Sequence, residues 1–294
     1  MRLFAMLSLL VLAACARAED PLPLGASATD CASCHADQAE AFARSAHARS
    51  GRSPVLEAMI PHARAAWGEA AADRCVRCHA PSHAQLLGDL DAEASVTCLT
   101  CHAAVGNRGE RDGLLLVDPS APIGGPHGDG EPTPAHASRA SALLGSSSLC
   151  GTCHEVTGPD VFVERTLSEH RVAAPDPNDP TCATCHLPQL DDGPIALDAR
   201  TSRVRRDHGF VGLDPPWGAD DATRARAATE ATALLASALS LEVVREGDSI
   251  EVRLTNVGAR HAVPTGVAFL RDVWIDVEIE GHETVERVIE LGDP

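Results

Sequence analysis

One five-residue word, repeated five times, constrains this chain more than any other feature. It occurs as Cys31-Ala-Ser-Cys34-His35, Cys75-Val-Arg-Cys78-His79, Cys98-Leu-Thr-Cys101-His102, Cys150-Gly-Thr-Cys153-His154 and Cys182-Ala-Thr-Cys185-His186. These words take ten of the 11 cysteines in 294 residues. C-x-x-C-H is the attachment signature of c-type haem. The two-residue gap lets both sulfurs reach the vinyl groups of one porphyrin, and the adjacent histidine then sits under the iron as proximal ligand. Structural zinc or a redox dithiol also uses C-x-x-C, but neither requires histidine after every second cysteine. The sequence therefore implies five covalently bound haem c groups, held by the ten cysteines and ligated by His35, His79, His102, His154 and His186.

Composition agrees with an interior filled by something other than side chains. Aromatic residues are 3% of the chain, with five Phe, three Trp and no Tyr, although 44% of residues are hydrophobic. Aromatic side chains supply much of the buried area in ordinary cores, so a chain this poor in them is expected to wrap porphyrins instead. All 24 cations are Arg, against 42 acidic residues, for a net charge of −18. Such a chain is a poor ligand for phosphate backbones, which excludes nucleic acid as a partner.

The sixth ligand decides between electron carriage and chemistry at iron. Nine histidines lie outside the motifs: His47, His62, His83, His127, His136, His170, His208, His261 and His282. Met59 is the one methionine beyond the leader, so methionine can serve one haem at most. Bis-histidine coordination is the expected majority, and it favours lower potentials than Met/His.

The stretch from Cys31 to about Asp214 resembles multihaem cytochromes of the c-554 type. After the first motif, the word Ser45-Ala-His47 resembles that family's distal-ligand word and maps a ligand to His47. The closely spaced CVRCH and CLTCH words resemble its second and third sites. In AHASRASALLGSSSLCGTCH the upstream histidine maps to His136, and the word Arg206-Asp-His208-Gly-Phe210 maps to His208. The word His261-Ala-Val-Pro264-Thr-Gly266 maps to His261, although Arg260 stands where the resembling word has Gly. In ERTLSEHRVA the resembling word has Trp near His170, so His170 reads as structural or solvated. The resemblance also implies that one haem can stay five-coordinate, leaving His62, His83, His127 or an open site for the fifth distal position.

Residues 1–18 read as an export leader, with Arg2 before the apolar run Leu3 to Ala14. Two processing sites compete there: a lipobox that would lipidate Cys15, and Ala16-Arg17-Ala18 for ordinary cleavage. A lipid on Cys15 would be the chain's one membrane attachment, and the location is expected to be periplasmic or anchored at the outer membrane. Residues 19–215 are expected to form a mainly α and irregular, haem-packed domain, with helices over Asp37 to Ser50 and Leu56 to Ala71. A connecting helix is expected at 216–240. At 241–294 the period changes to alternation, in Leu241 to Arg245, Ile250 to Leu254 and from Val273. That segment reads as a small antiparallel, sandwich-like β module, either packed on the haem domain or continuing beyond the sequence given.

Closely packed haems imply an electron-transfer protein working between redox partners of the cell envelope. One alternative is a haem oxidoreductase acting on small nitrogen or sulfur compounds at a five-coordinate iron. The absence of Lys and Tyr closes the Lys-ligated design of nitrite reductases and the Tyr-linked design of hydroxylamine-oxidising enzymes. Another alternative is a haem-bearing structural or docking subunit of an envelope redox complex.

Overall fold

The computed structural model describes residues 31–81, 95–125, 135–157 and 163–291, apart from 198, 200–201, 214, 248, 269–270, 272 and 278–285. The leader, Cys15, His83, His127 and His282 lie outside the described residues. In chain order the elements are α1 (Ala36–Ala43), a 3-10 turn (His47–Arg52), α2 (Pro54–Trp67), α3 (Glu69–His79), α4 (Cys98–His102), β1 (Ala104–Asn107), β2 (Leu115–Val117), β3 (Ile123–Gly125), β4 (Ser138–Ala140) and α5 (Ser147–Gly151). There follow β5 (Val156–Thr157), β6 (Val163–Glu164), α6 (Thr166–Ala173), α7 (Cys182–His186), β7 (Gln189–Pro194), β8 (Ser202–Arg206), α8 (Asp221–Ala238), β9 (Leu239–Glu246), β10 (Ser249–Asn256), β11 (Val273–Val277) and β12 (Glu286–Leu291). The chain divides into two compact units, Met1–Cys153 with Pro180–Leu234, and His154–Asp179 with Leu235–Pro294.

In the first unit the expected helices form, but they are shorter. The helix expected over Asp37 to Ser50 ends at Ala43 and resumes as the 3-10 turn from His47. The one expected from Leu56 to Ala71 is two helices, parted at Gly68, whose φ of +84 is open to glycine and costly for other residues. Pro54 starts α2 at a position where its missing N–H would have had no helical partner. Helices α4 and α7 each begin with a reciprocal Thr-x-x-Thr cap, Thr97 with Thr100 and Thr181 with Thr184, which satisfies two otherwise orphaned N–H groups.

Side-chain packing in this unit is thin. Leu99 and Ala103 form a small buried cluster, with Val117 and Ile123 against it. Across the described residues, ten of the fifteen buried apolar residues are Ala. The β1–β2 hairpin turns through Asp112 and Gly113, with φ of +55 and +68. A Cβ on Gly113 would come within 2.6 Å of Arg77 Cβ and 2.8 Å of its backbone carbon, against the CVRCH helix. Gly113→Ala combines backbone strain with overpacking, so we expect a loss of about 2–4 kcal/mol, checked by denaturant unfolding of the purified variant. Strands β3 and β4 pair in parallel, Ile123 with Ser138 and Gly125 with Ala140.

In the second unit a short hairpin pairs Val156 with Glu164, and α6 follows. The Glu155 carboxylate accepts from the Ser168 backbone N–H at 3.0 Å, within the first turn of α6. The alternating segment forms two separate antiparallel hairpins, β9–β10 and β11–β12, each a two-stranded sheet. Register places Leu241 opposite Leu254 and Val243 opposite Val252, yet Leu241 and Val243 are 58% and 64% exposed. Loop 257–268 is tied to α6. Glu169 accepts from the Ala262 N–H at 3.0 Å and from the Thr265 hydroxyl at 2.6 Å, and the Thr166 and Thr265 hydroxyls meet at 3.0 Å. Arg260 stands at φ +57, a backbone state that glycine enters freely, which is the physical reason for Gly at that point of the resembling word.

Candidate functional site

In α4 and α7 the motif is itself one capped helical turn. Cysteine, cysteine and histidine then fall at i, i+3 and i+4, so the two sulfurs and the imidazole leave on one face. In α3 the motif forms the last turn of a longer helix, ending at His79. Cys31 begins the first motif with a helical turn in which the His35 N–H donates to the Cys31 carbonyl at 2.8 Å.

The motif histidines share one arrangement. Nδ1 donates to the carbonyl of Ile195 from His35 (2.7 Å), of Ser50 from His79 (3.0 Å), of Gly124 from His102 (2.8 Å) and of Val211 from His186 (2.7 Å). His154 donates instead to a carboxylate, Glu164 Oε1, at 3.0 Å. A carbonyl can only accept, so the proton sits on Nδ1 and the lone pair on Nε2, the form in which histidine binds a metal. The acceptors come from the 3-10 turn, from β3, from the β5–β6 hairpin and from the segments after β7 and β8.

The structure also brings some of the remaining histidines onto these sites. The His35 and His136 rings lie with centroids 6.3 Å apart and 28° between planes. The His102 and His208 rings do the same at 6.3 Å and 20°. Two metal–imidazole bonds of about 2.0 Å, each extended by a ring radius of about 1.1 Å, would place ring centres about 6.2 Å apart across one ion. His136 and His208 donate from Nδ1 to the carbonyls of Ala137 (3.2 Å) and Arg206 (2.9 Å), again putting the lone pair on Nε2. Burial pushes the His102 and His208 imidazoles below their usual range, against the raising effect of their carbonyl hydrogen bonds. Both are thereby kept in the neutral, ligating form. The residues present thus fit an iron held between two imidazoles at these two positions.

The other candidates fall differently. His47 packs edge-on to Phe210 with centroids 4.5 Å apart, and Phe210 also meets His208 at 6.2 Å. His261, in loop 257–268, is half-buried and donates from Nδ1 to the Ala262 carbonyl at 2.7 Å. His62 is exposed on α2. His170 is buried in α6, at 8% exposure.

The thiols link the motifs to one another. Hydrogen bonds join Cys98 to Cys31, Cys150 to Cys182 and Cys153 to Cys78, and each is the leading cause of a raised thiol pKa, followed by burial. Burial alone pushes Cys101 up to about 11, and Cys101 lies close enough to Cys150 and Cys153 to raise them further. The first motif therefore meets the third, the fourth meets the second and fifth, and the third neighbours the fourth.

Sequence reasoning missed Glu164, Phe210 and the four carbonyl acceptors. Phe210 stood within a word already quoted for His208. Glu164 carries no motif, and only the hairpin register brings it back to His154.

Residues 30–103 match the family model of cytochrome c554 and c-prime. The match supports a cytochrome c family, and with it covalently bound haem and electron transfer. Neither the curated proteins nor the solved structures yield a match.

Proposed function

We propose that this protein is an exported five-haem cytochrome c that relays electrons between redox proteins of the cell envelope, with most of its haems held between two histidines. The reading is carried by the facing imidazoles, His35 with His136 and His102 with His208, at one centroid distance of 6.3 Å. Haem, when bound, supplies a one-electron iron couple at each site.

The chain's own residues do the rest. Each cysteine pair anchors one porphyrin edge. The carbonyls of Ile195, Ser50, Gly124 and Val211 and the carboxylate of Glu164 orient the proximal rings. His47 and His261 are read as further distal ligands, and Phe210 packs against both His47 and His208. The motif cysteines lie near those of neighbouring motifs, and such closeness is what stepwise electron transfer requires.

The leader at 1–18 supports export, with lipidation at Cys15 as one route to the membrane, and no described helix is long and apolar enough to span a bilayer. A net charge of −18 favours a basic docking partner. Electron exchange with a small basic redox protein should therefore slow steeply as ionic strength rises and the screening length falls from about 30 to about 8 Å, read by stopped-flow mixing. A spectroelectrochemical titration tests the main reading. Stepwise reduction with five haemochromes per chain is expected, and zinc in place of iron would overturn it.

A further inference from the structure

Four motif histidines give their Nδ1 proton to main-chain carbonyls, whereas His154 gives its proton to a carboxylate. A main-chain carbonyl carries a partial charge that no substitution alters. Glu164 carries a full one, and the chain shelters it: the side chain is 12% exposed. The hairpin that follows the fourth motif places it there, because Val156 pairs with Glu164 in the β5–β6 register. The Thr166 hydroxyl donates to the same Oε1 at 3.5 Å. Gly266 lies alongside; a Cβ there would stand 3.6 Å from Oε1. The acceptor is thus fixed from three directions: a hairpin, the start of α6 and the loop containing His261.

A hydrogen bond from a metal-bound imidazole to a carboxylate raises the basicity of the ligating nitrogen. A more basic ligand donates more strongly to the metal and favours its higher oxidation state, and hydrogen bonding around the ligands is among the levers a protein has on haem potential. We propose that Glu164 is a positioning residue that sets the potential of the fourth site. It holds His154 in a strongly donating state and keeps that haem harder to reduce than a neutral acceptor would. The inference rests on the haem reading above. If that reading fails, the purified protein lacks the haemochrome. If only this inference fails, five haems are present and their reduction waves do not respond to Glu164.

The test is a redox titration of the full haem-loaded protein and its Glu164→Gln variant, with ferric EPR as a second readout. The amide oxygen still accepts from Nδ1 but carries no charge. One wave of five is expected to rise by at least a tenfold change in its reduction equilibrium, about 59 mV for a one-electron couple, with the ferric signal of one haem altered. Unmoved waves, or a shift shared by all five, would overturn the proposal. Thr166→Val supplies an independent arm that keeps the carboxylate in place, and so decides the matter if Glu164→Gln does not load its haems. Removing the hydroxyl that shares Oε1 should move the same wave the opposite way, downward and by less. A wave that stays still or rises in Thr166→Val overturns the proposal too.

Discussion

On the five-haem proposal, replacing Cys98 and Cys101 together by alanine is expected to take the chain from five haems to four and to lower its stability by more than about 4 kcal/mol. An ordinary pair of small core substitutions would cost about 1–2 kcal/mol each. The third motif is different because it joins the others. The Cys98 sulfur stands beside Cys31 of the first motif, and Cys101 neighbours Cys150 and Cys153 of the fourth. Leu99, between them, belongs to the small buried cluster of this unit. With Ala making up so much of the buried apolar surface, no set of large side chains could close over the space a porphyrin leaves. Haem-to-protein ratio and denaturant unfolding check the two halves of the expectation. Five haems in the double variant, or a loss of stability no larger than that of ordinary core substitutions, would contradict it.

On the same proposal, His136→Ala and His208→Ala are each expected to turn one of five haems from six-coordinate to open, converting about one fifth of the low-spin ferric signal to high-spin. Each ring faces a motif histidine at 6.3 Å, so each deletion leaves one iron without its second imidazole. Added imidazole should restore the low-spin signal, and the opened haem should rise in potential as a donating ligand is lost. His62→Ala is the control, since His62 is exposed on α2; its spectrum should match the unsubstituted protein. EPR and ligand-binding titrations read both results. Low-spin spectra that survive both deletions would remove the reason for pairing these residues.

The attachment chemistry proposed for this chain is of a kind that a sequence can carry, because thioether attachment demands fixed residue types at fixed spacing. The helix caps were legible in principle too, since Thr97 with Thr100 and Thr181 with Thr184 frame the third and fifth motifs by residue identity alone. Which groups orient the proximal histidines was not. Ile195 lies 160 residues from His35, and Gly124, Val211 and Ser50 lie 22, 25 and 29 residues from their partners. All four act through carbonyls, which every residue has, so no side chain marks them. The pairing of His35 with His136 is equally silent in a linear reading. Helix ends were misjudged where backbone geometry overrode apolar spacing, as at Gly68. The alternating segment was visible as strands, but the bonds from Glu169 to Ala262 and Thr265, which tie loop 257–268 to α6, leave no periodic trace.

The parallel pair β3–β4 has a further consequence. The Ala137 carbonyl accepts from both His136 Nδ1 and the Ile123 N–H, and one residue beyond Ile123 the Gly124 carbonyl holds His102. A ribbon of a few residues is thus shared property of two centres, and a Cβ on Gly124 would stand 3.2 Å from the His102 carbonyl oxygen. A mutation that re-aims one ring therefore tugs on the support of the other.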